Sequence, residues 1–120
     1  MAQNIPPALE QELQKFDTMR KNHETLSTMV QAIQTELSEI NATLEELKKQ
    51  PDDVTTYKAV GQVMFKIDKP VVVEQLDDRQ KTLEMRLASN KKQLESLTQK
   101  LQELQNKIQI ELSKQNLRLQ

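Results

Sequence analysis

One segment decides the fold of this chain: Val54-Thr55-Thr56-Tyr57-Lys58-Ala59-Val60-Gly61-Gln62-Val63-Met64-Phe65-Lys66-Ile67. It is rich in β-branched and aromatic residues, which favour strands. Gly61, the only glycine of the chain, lies near its middle. We therefore predict two strands, Thr55–Ala59 and Gln62–Ile67, with a turn around Val60-Gly61. Gly61 would supply a positive φ angle, but Val beside Gly is not a favoured two-residue loop, so the turn type stays open.

On both sides of this segment, apolar residues recur with a heptad period. In the first flank, the a positions are Leu9, Phe16, His23, Val30, Leu37 and Leu44, and the d positions are Met19, Leu26, Ile33, Ile40 and Leu47. In the second flank, the a positions are Val73, Leu87, Leu94, Leu101 and Ile108, and the d positions are Leu76, Leu83, Leu97 and Leu104. A pattern sustained over this many heptads is typical of a coiled coil.

Prolines set the boundaries of the two helices. A proline is tolerated in the first turn of a helix but not in its interior, so we place helix 1 at about 7–49 and helix 2 at about 70–115. The β-hairpin then spans about 54–67, within a single domain of residues 1–120. Each helix would be roughly 60–70 Å long, and matching lengths favour an antiparallel pair. The charges of the two flanks also favour this pairing. Residues 1–50 carry 5 basic and 8 acidic side chains, whereas residues 71–120 carry 9 basic and 7 acidic ones, so an acidic helix would lie beside a basic one.

Composition excludes several classes of function. The chain has 29% charged residues but a net charge of −1, with 2% aromatic residues, so it lacks the basic face and stacking platforms of a nucleic-acid binder. It has no cysteine, no apolar run long enough to span a membrane, and an N-terminus unlike a signal peptide. We expect a cytoplasmic protein. No phosphate loop, catalytic constellation or metal-ligand spacing is present, so an enzyme and a cofactor are not expected.

Three polar residues occupy seam positions away from the ends of the heptad pattern. His23, the only histidine, occupies an a position without any partner for metal binding or catalysis, and we expect it to be packed in the seam. Gln80 at a and Asn90 at d either specify the register, as a buried Asn can, or mark a loosened region; both interpretations stay open.

The predicted hairpin is apolar on both faces, and one chain offers nothing to cover it. An isolated two-stranded hairpin is marginal in water, and its edges carry unpaired backbone groups. We therefore predict that hairpins from several chains join into a shared sheet or barrel, from which the coiled coils project. The fold class is mainly α, a long antiparallel coiled-coil hairpin whose central β-hairpin joins an oligomeric β-barrel platform.

The helix ends farthest from the hairpin are the second anomaly. The heptad pattern degrades there, because Glu12, Glu111 and Gln115 take d or a positions, yet apolar residues remain plentiful. Such residues at a frayed end would be exposed to partners. Ordinary fraying with singly exposed leucines explains the same pattern, and both readings stay open.

The segment Tyr57-Lys58-Ala59-Val60-Gly61-Gln62-Val63-Met64-Phe65-Lys66 resembles the hairpin of the prefoldin family, specifically of its β-type subunit. Pro51-Asp52-Asp53 before it and the start Gln3-Asn4-Ile5-Pro6-Pro7 are similar to archaeal-type β subunits. The similarity covers nearly the whole chain. Only one hairpin fits between the helices, whereas α-type subunits carry two.

This resemblance implies a hexamer of two α and four β subunits whose hairpins form a double β-barrel. The family is an ATP-independent holdase that binds non-native polypeptides with the coiled-coil tips and passes them to a group II chaperonin. The resemblance implies no cofactor and no binding to nucleic acid or to membranes. The assembly residues would be Tyr57, Val60, Gly61, Val63, Phe65 and Ile67. The client-contact residues would be Ile5, Leu9, Leu13, Phe16, Ile110, Leu112, Leu117 and Leu119. The alternative is a structural coiled-coil scaffold or tether without client binding, which would have no use for the hairpin.

Overall fold

Four elements make up the chain in a computed structural model that describes the backbone of residues 5–119 and the side chains of residues 5–115. They are α1 (Pro7–Lys49), β1 (Thr56–Val60), β2 (Val63–Ile67) and α2 (Lys69–Leu119). The predicted fold class, two long helices around an antiparallel hairpin, is confirmed. The chain divides into two compact units. We call Val30–Ser89 the hairpin unit, and residues 5–29 with 90–119 the terminal unit.

Proline and charge define the limits of α1. Pro7 is its first residue, and the Glu10 amide donates to the Pro6 carbonyl at 3.0 Å, which starts the helical hydrogen bonding. Lys48 and Lys49 occupy its last turn, where cations interact favourably with the helix dipole. Pro51 then follows, and the helix ends two residues before it because proline cannot continue a helix.

The hairpin turn lies one residue later than the sequence indicated. Val60 pairs directly with Val63, so the two-residue loop is Gly61-Gln62 rather than Val60-Gly61. Gly61 has a φ angle of +59°, whereas Gln62 does not have a positive φ. A positive φ at the first central position alone, occupied by glycine, is typical of a type II′ turn, which matches the twist of paired strands. The register of the strand pair therefore follows from the glycine.

The main-chain carbonyl of Asp68, the residue before α2, accepts the first hydrogen bonds of that helix. It accepts hydrogen bonds from the amides of Val71 (3.0 Å) and Val72 (3.1 Å), and Pro70 occupies the first turn, where its missing N–H costs nothing. The helix continues to Leu119, four residues beyond the predicted end at about 115.

The hairpin unit has a core made of heptad residues. Leu37, Ile40, Leu44 and Leu83 are buried, and Ile33, Val73, Leu76 and Leu87 pack against them. Leu83 is the most enclosed, at 1% exposure. Truncating such a leucine to alanine typically costs about 2–5 kcal/mol. This seam forms the hydrophobic core of the hairpin unit.

Polar contacts flank that seam. Arg79 Nε and Nη2 donate to the two carboxylate oxygens of Glu36 at 3.1 Å each, a bidentate pair that links α2 to α1. The Gln80 amide donates to the Asn41 side-chain carbonyl. Gln80 therefore makes a specific contact between the helices, which favours the register interpretation over a loosened region at this a position.

Contacts in the terminal unit show that its helix segments are antiparallel. Glu12 contacts Lys107, whereas His23, farther along α1, contacts Thr98, which comes earlier in α2. The His23 Nε2 atom lies 2.9 Å from Thr98 Oγ1, and that hydroxyl donates its single hydrogen to the Leu94 carbonyl at 2.8 Å. The His23–Thr98 contact therefore links α1 to α2 at this a position.

Candidate assembly and client-binding sites

The strand register sorts the hairpin side chains onto two faces. Residues that pair across an antiparallel ladder share a face, and neighbours along a strand alternate. One face therefore holds Thr56, Lys58, Val60, Val63, Phe65 and Ile67, and the other holds Tyr57, Ala59, Met64 and Lys66. Four of the six predicted assembly residues lie together on the first face, Tyr57 lies on the second, and Gly61 forms the turn.

Both faces of the hairpin present large apolar side chains to solvent. The exposed fractions are 53–65% for Tyr57, Val60, Val63, Met64 and Phe65. Met64, the most exposed of them, was not among the predicted assembly residues, although its alternation with Val63 and Phe65 was the signal that could have found it. The sheet has two strands, so each strand also has one edge without a ladder partner among the described residues. Such a surface is suited to pairing with further strands.

A small cleft lies between β1 and α2. It has a volume of about 260 Å³ and is lined by Tyr57, Lys58, Val72, Gln75 and Leu76. Lys58 Nζ donates to Gln75 Oε1 at 3.2 Å across it. Lys58 belongs to the first face, so this hydrogen bond connects that face to α2, whereas the apolar residues Val60, Val63 and Phe65 of the same face remain exposed.

The predicted client-contact residues differ in accessibility. Ile5 (48%), Ile110 (58%) and Leu112 (41%) are exposed, and Leu13 and Phe16 are half-buried. Leu9 is 4% exposed, because as an a residue it packs between the helices, and it offers no surface to a client in this structure. The side chains of Leu117 and Leu119 lie outside the described residues. Ile110 stands beside the polar side chains of Asn106, Gln109, Ser113 and Lys114, so it projects from a hydrophilic face.

The terminal unit also contains a groove that the sequence reasoning missed. Its volume is about 590 Å³. Apolar d residues of both helices, Met19, Leu97 and Leu104, form its floor, and Lys15, Lys100 and Lys107 line it. The available signal was the repeated lysine at the g position, directly before the a residues Phe16, Leu101 and Ile108.

Charge pairing explains the acidic residue in the seam of the terminal unit. Lys107 Nζ lies 2.9 Å from Glu12 Oε1, and this hydrogen bond, with the attraction between the two charges, raises the pKa of Lys107 above its usual 10.5. The other carboxylate oxygen, Oε2, is buried without a hydrogen-bond partner. On the surface of α1, hydrogen bonds from Lys21 and Arg20 lower the pKa of Asp17.

Over the part of the chain that the structure describes, no three His, Asp, Glu or Cys side chains are grouped so that they could hold a metal ion. Neither helix, over the same residues, is long and apolar enough to cross a membrane. The described residues present apolar surface on the hairpin. In the terminal unit they present a surface that is both apolar and basic.

Comparison with known proteins assigns this arrangement to a family. A sequence profile described as "Prefoldin subunit" matches residues 10–115. The chain belongs to the prefoldin family.

Relatives from archaea place the chain beside the β-type prefoldin subunits. It is 38% identical over 114 residues to prefoldin subunit beta of Sulfurisphaera tokodaii, covering 95% of this chain and 91% of the relative. It is 39% identical to that of Thermococcus gammatolerans, covering 92% and 94%. The crystal structure of the prefoldin beta subunit from Thermococcus strain KS-1 superposes with a TM-score of 0.79 at 34% identity, covering 92% of this chain and 97% of that one. The resemblance indicated by the hairpin sequence is confirmed.

Membership of the prefoldin family also settles the class of function. Prefoldin subunits are chaperone components and not enzymes, and they assemble with other prefoldin subunits. The open faces and edges of the hairpin give this assembly a physical basis in the chain itself.

Proposed function

We propose that this chain is a subunit of a cytoplasmic, ATP-independent holdase containing two α-type and four β-type prefoldin subunits. Its hairpin joins a shared double β-barrel, and its helix ends bind non-native polypeptides, which the complex delivers to a group II chaperonin. The observation that carries the proposal is the hairpin with large apolar side chains exposed on both faces.

The hairpin surface supports the assembly step. Val60, Val63 and Phe65 are each more than half exposed on one face, and Tyr57 and Met64 on the other. Burying such side chains stabilises an interface by about 25 cal/mol for each Å² removed from water. The unpaired strand edges can extend the backbone ladder into neighbouring hairpins at the same time. A barrel satisfies both requirements, because closure removes the edges and encloses one face.

Exposed apolar residues of the terminal unit support client binding. Ile5, Ile110 and Leu112 are accessible, and each makes a weak contact that does not depend on a particular client sequence. Four β subunits in one complex would multiply those contacts, and several weak sites on one client raise the overall affinity without a new strong site.

The assembly step is tested by the native mass of Phe65→Asp mixed with an α-type partner. A carboxylate on the first hairpin face would be buried in the barrel, so we expect a lower mass by light scattering with helical content retained. Met85→Asp is the matched control, because Met85 is 75% exposed on α2 in the same unit. An unchanged mass for Phe65→Asp would contradict the shared barrel.

Client binding is tested by aggregation of a denatured protein, without ATP, in the presence of the assembled complex. We expect suppression by the wild-type chain and weaker suppression by Ile110→Ser/Leu112→Ser. Met29→Ser is the control, because Met29 is 49% exposed in the same unit. Intact assembly with no suppression at all would instead support a structural scaffold. Co-sedimentation of client with a group II chaperonin, with and without the complex, tests delivery.

A further inference from the structure

Heptad position reveals an unusual arrangement of charge in the groove of the terminal unit. In the hairpin unit, the g residues Glu36 and Arg79 face each other across the seam and form a bidentate ion pair. Lys15 lies three heptads before Glu36, and Lys100 lies three heptads after Arg79. The same pairing position is therefore filled by opposite charges in one unit and by two lysines in the other.

The charges of Lys15 and Lys100 are not paired with acidic side chains among the residues that the structure describes. Lys107, the third lysine of the groove, is neutralised by Glu12. Interhelical g residues usually carry complementary charge, because like charges weaken the pairing of the helices. A like-charged pair thus costs the coiled coil some stability and leaves two positive charges available to a ligand.

Apolar surface lies directly beside these charges. Met19, Leu97 and Leu104 form the floor of the groove, and Glu103 is the acidic residue in its lining. Because the floor has no aromatic side chain, bases would have nothing to stack on, which argues against single-stranded nucleic acid. Apolar floor and cationic wall together match an amphipathic segment that carries apolar side chains on one side and carboxylates at its edge.

We propose that this groove binds acidic, amphipathic segments of non-native polypeptides, which gives the chain a preference among clients. This inference rests on the proposed holdase function and refines it. The apolar floor contributes affinity for any client, whereas Lys15 and Lys100 select segments in which Asp or Glu flanks the apolar residues. Polypeptides with basic flanks would be disfavoured at the same groove.

The test uses the full chain and three fluorescein-labelled peptides that share leucines at helical spacing and differ in the remaining positions, which are Glu, Gln or Lys. We expect anisotropy titrations to give affinity in the order Glu, Gln, Lys. The advantage of the Glu peptide should shrink when salt rises from about 0.05 to about 0.5 M, because the contacts are solvent-exposed.

Lys15→Glu separates binding from folding. The introduced carboxylate would face Lys100 as Glu36 faces Arg79, so the melting temperature should rise while affinity for the Glu peptide falls about fivefold. Lys92→Glu is the matched control, because it changes the net charge equally from an exposed position of the same unit outside the groove. Lys100→Glu should repeat the loss of binding from the other helix.

Several outcomes would overturn the preference. Equal affinity for the Glu and Gln peptides, or equal effects of Lys15→Glu and Lys92→Glu, would show that the lysines do not select clients. Tighter binding of a poly(dT) oligonucleotide than of the Glu peptide would assign the groove to another ligand. If aggregation is still suppressed in those cases, the holdase function stands and this inference alone fails. If the chain neither binds the peptides nor suppresses aggregation, both the holdase function and the client preference are contradicted.

Discussion

Lys69 Nζ lies 2.7 Å from the main-chain carbonyl of Gln50, so the first residue of α2 binds the residue that directly follows α1. The side chain of Lys69 is 10% exposed, and its second partner, Asp52 Oδ1, is 3.5 Å away and fully exposed. A cation near the C-terminal carbonyls of a helix is favourable, since those carbonyls carry partial negative charge. This contact closes the hairpin insertion at its base by joining the two helices.

Lys69→Met should lower the free energy of unfolding by about 1–3 kcal/mol, because it keeps most of the side-chain volume but leaves the Gln50 carbonyl without its donor. Urea denaturation followed by circular dichroism measures the change. Asp52→Asn, which alters only the exposed partner, should cost less than about 0.5 kcal/mol. Equal effects of the two substitutions would show that the carbonyl contact does not contribute.

Gly61→Ala should destabilise the chain by about 1–2 kcal/mol, which is the usual cost of a left-handed conformation for an L-residue. No atom lies within 4 Å of the position where a Cβ would be added, so the cost would come from the backbone and not from a clash. Gly61→Asn should cost less, because Asn tolerates this conformation better. Denaturant titration of the two variants tests the order, and an alanine variant as stable as the wild type would contradict the type II′ turn.

Glu12→Leu should stabilise the chain by about 1 kcal/mol. The substitution removes a buried carboxylate oxygen that has no hydrogen-bond partner and places an apolar side chain at a d position. Lys107, which is 65% exposed, remains hydrated when its partner is lost. Lys107→Met should have the opposite sign, because it leaves the whole Glu12 carboxylate unpaired in the seam. Melting temperatures that shift in the same direction for both variants would refute this asymmetry.

The pKa of Lys107 should fall back towards 10.5 in Glu12→Gln, because the hydrogen bond to the carboxylate is the main cause of its upward shift. A raised pKa means that the stabilisation from this pair is fully present below pH 10.5 and disappears as pH rises through the value in the folded chain. Titration of the lysine Cε resonances by NMR measures both states. Identical Lys107 curves in wild type and variant would show that Glu12 is not responsible.

Much of this fold follows from local patterns that the amino-acid sequence contains. The heptad residues, the prolines at the helix starts and the strand-favouring segment each act over a few residues, so helix and strand positions could be read from them. The family resemblance was likewise carried by a local segment, Tyr57–Lys66. The turn was misplaced by one residue because Gly61 fits either central position of a hairpin loop, and only the pairing of Val60 with Val63 decides between them.

The candidate sites depended more strongly on tertiary structure. Leu9 and Ile110 are similar apolar residues near the ends of their helices, yet the first is buried and the second exposed, because burial depends on the side of the helix that meets its partner. That lysines face each other at Lys15 and Lys100 requires the alignment of two segments far apart in sequence.

The sequence by itself therefore determined the helices, the hairpin and the family, since periodicity and turn residues act locally. The tertiary structure decided which side chains remain accessible, that Lys69 donates to the Gln50 carbonyl, and that Lys15 and Lys100 line one groove. Those properties arise from distances between residues that only the folded chain brings together.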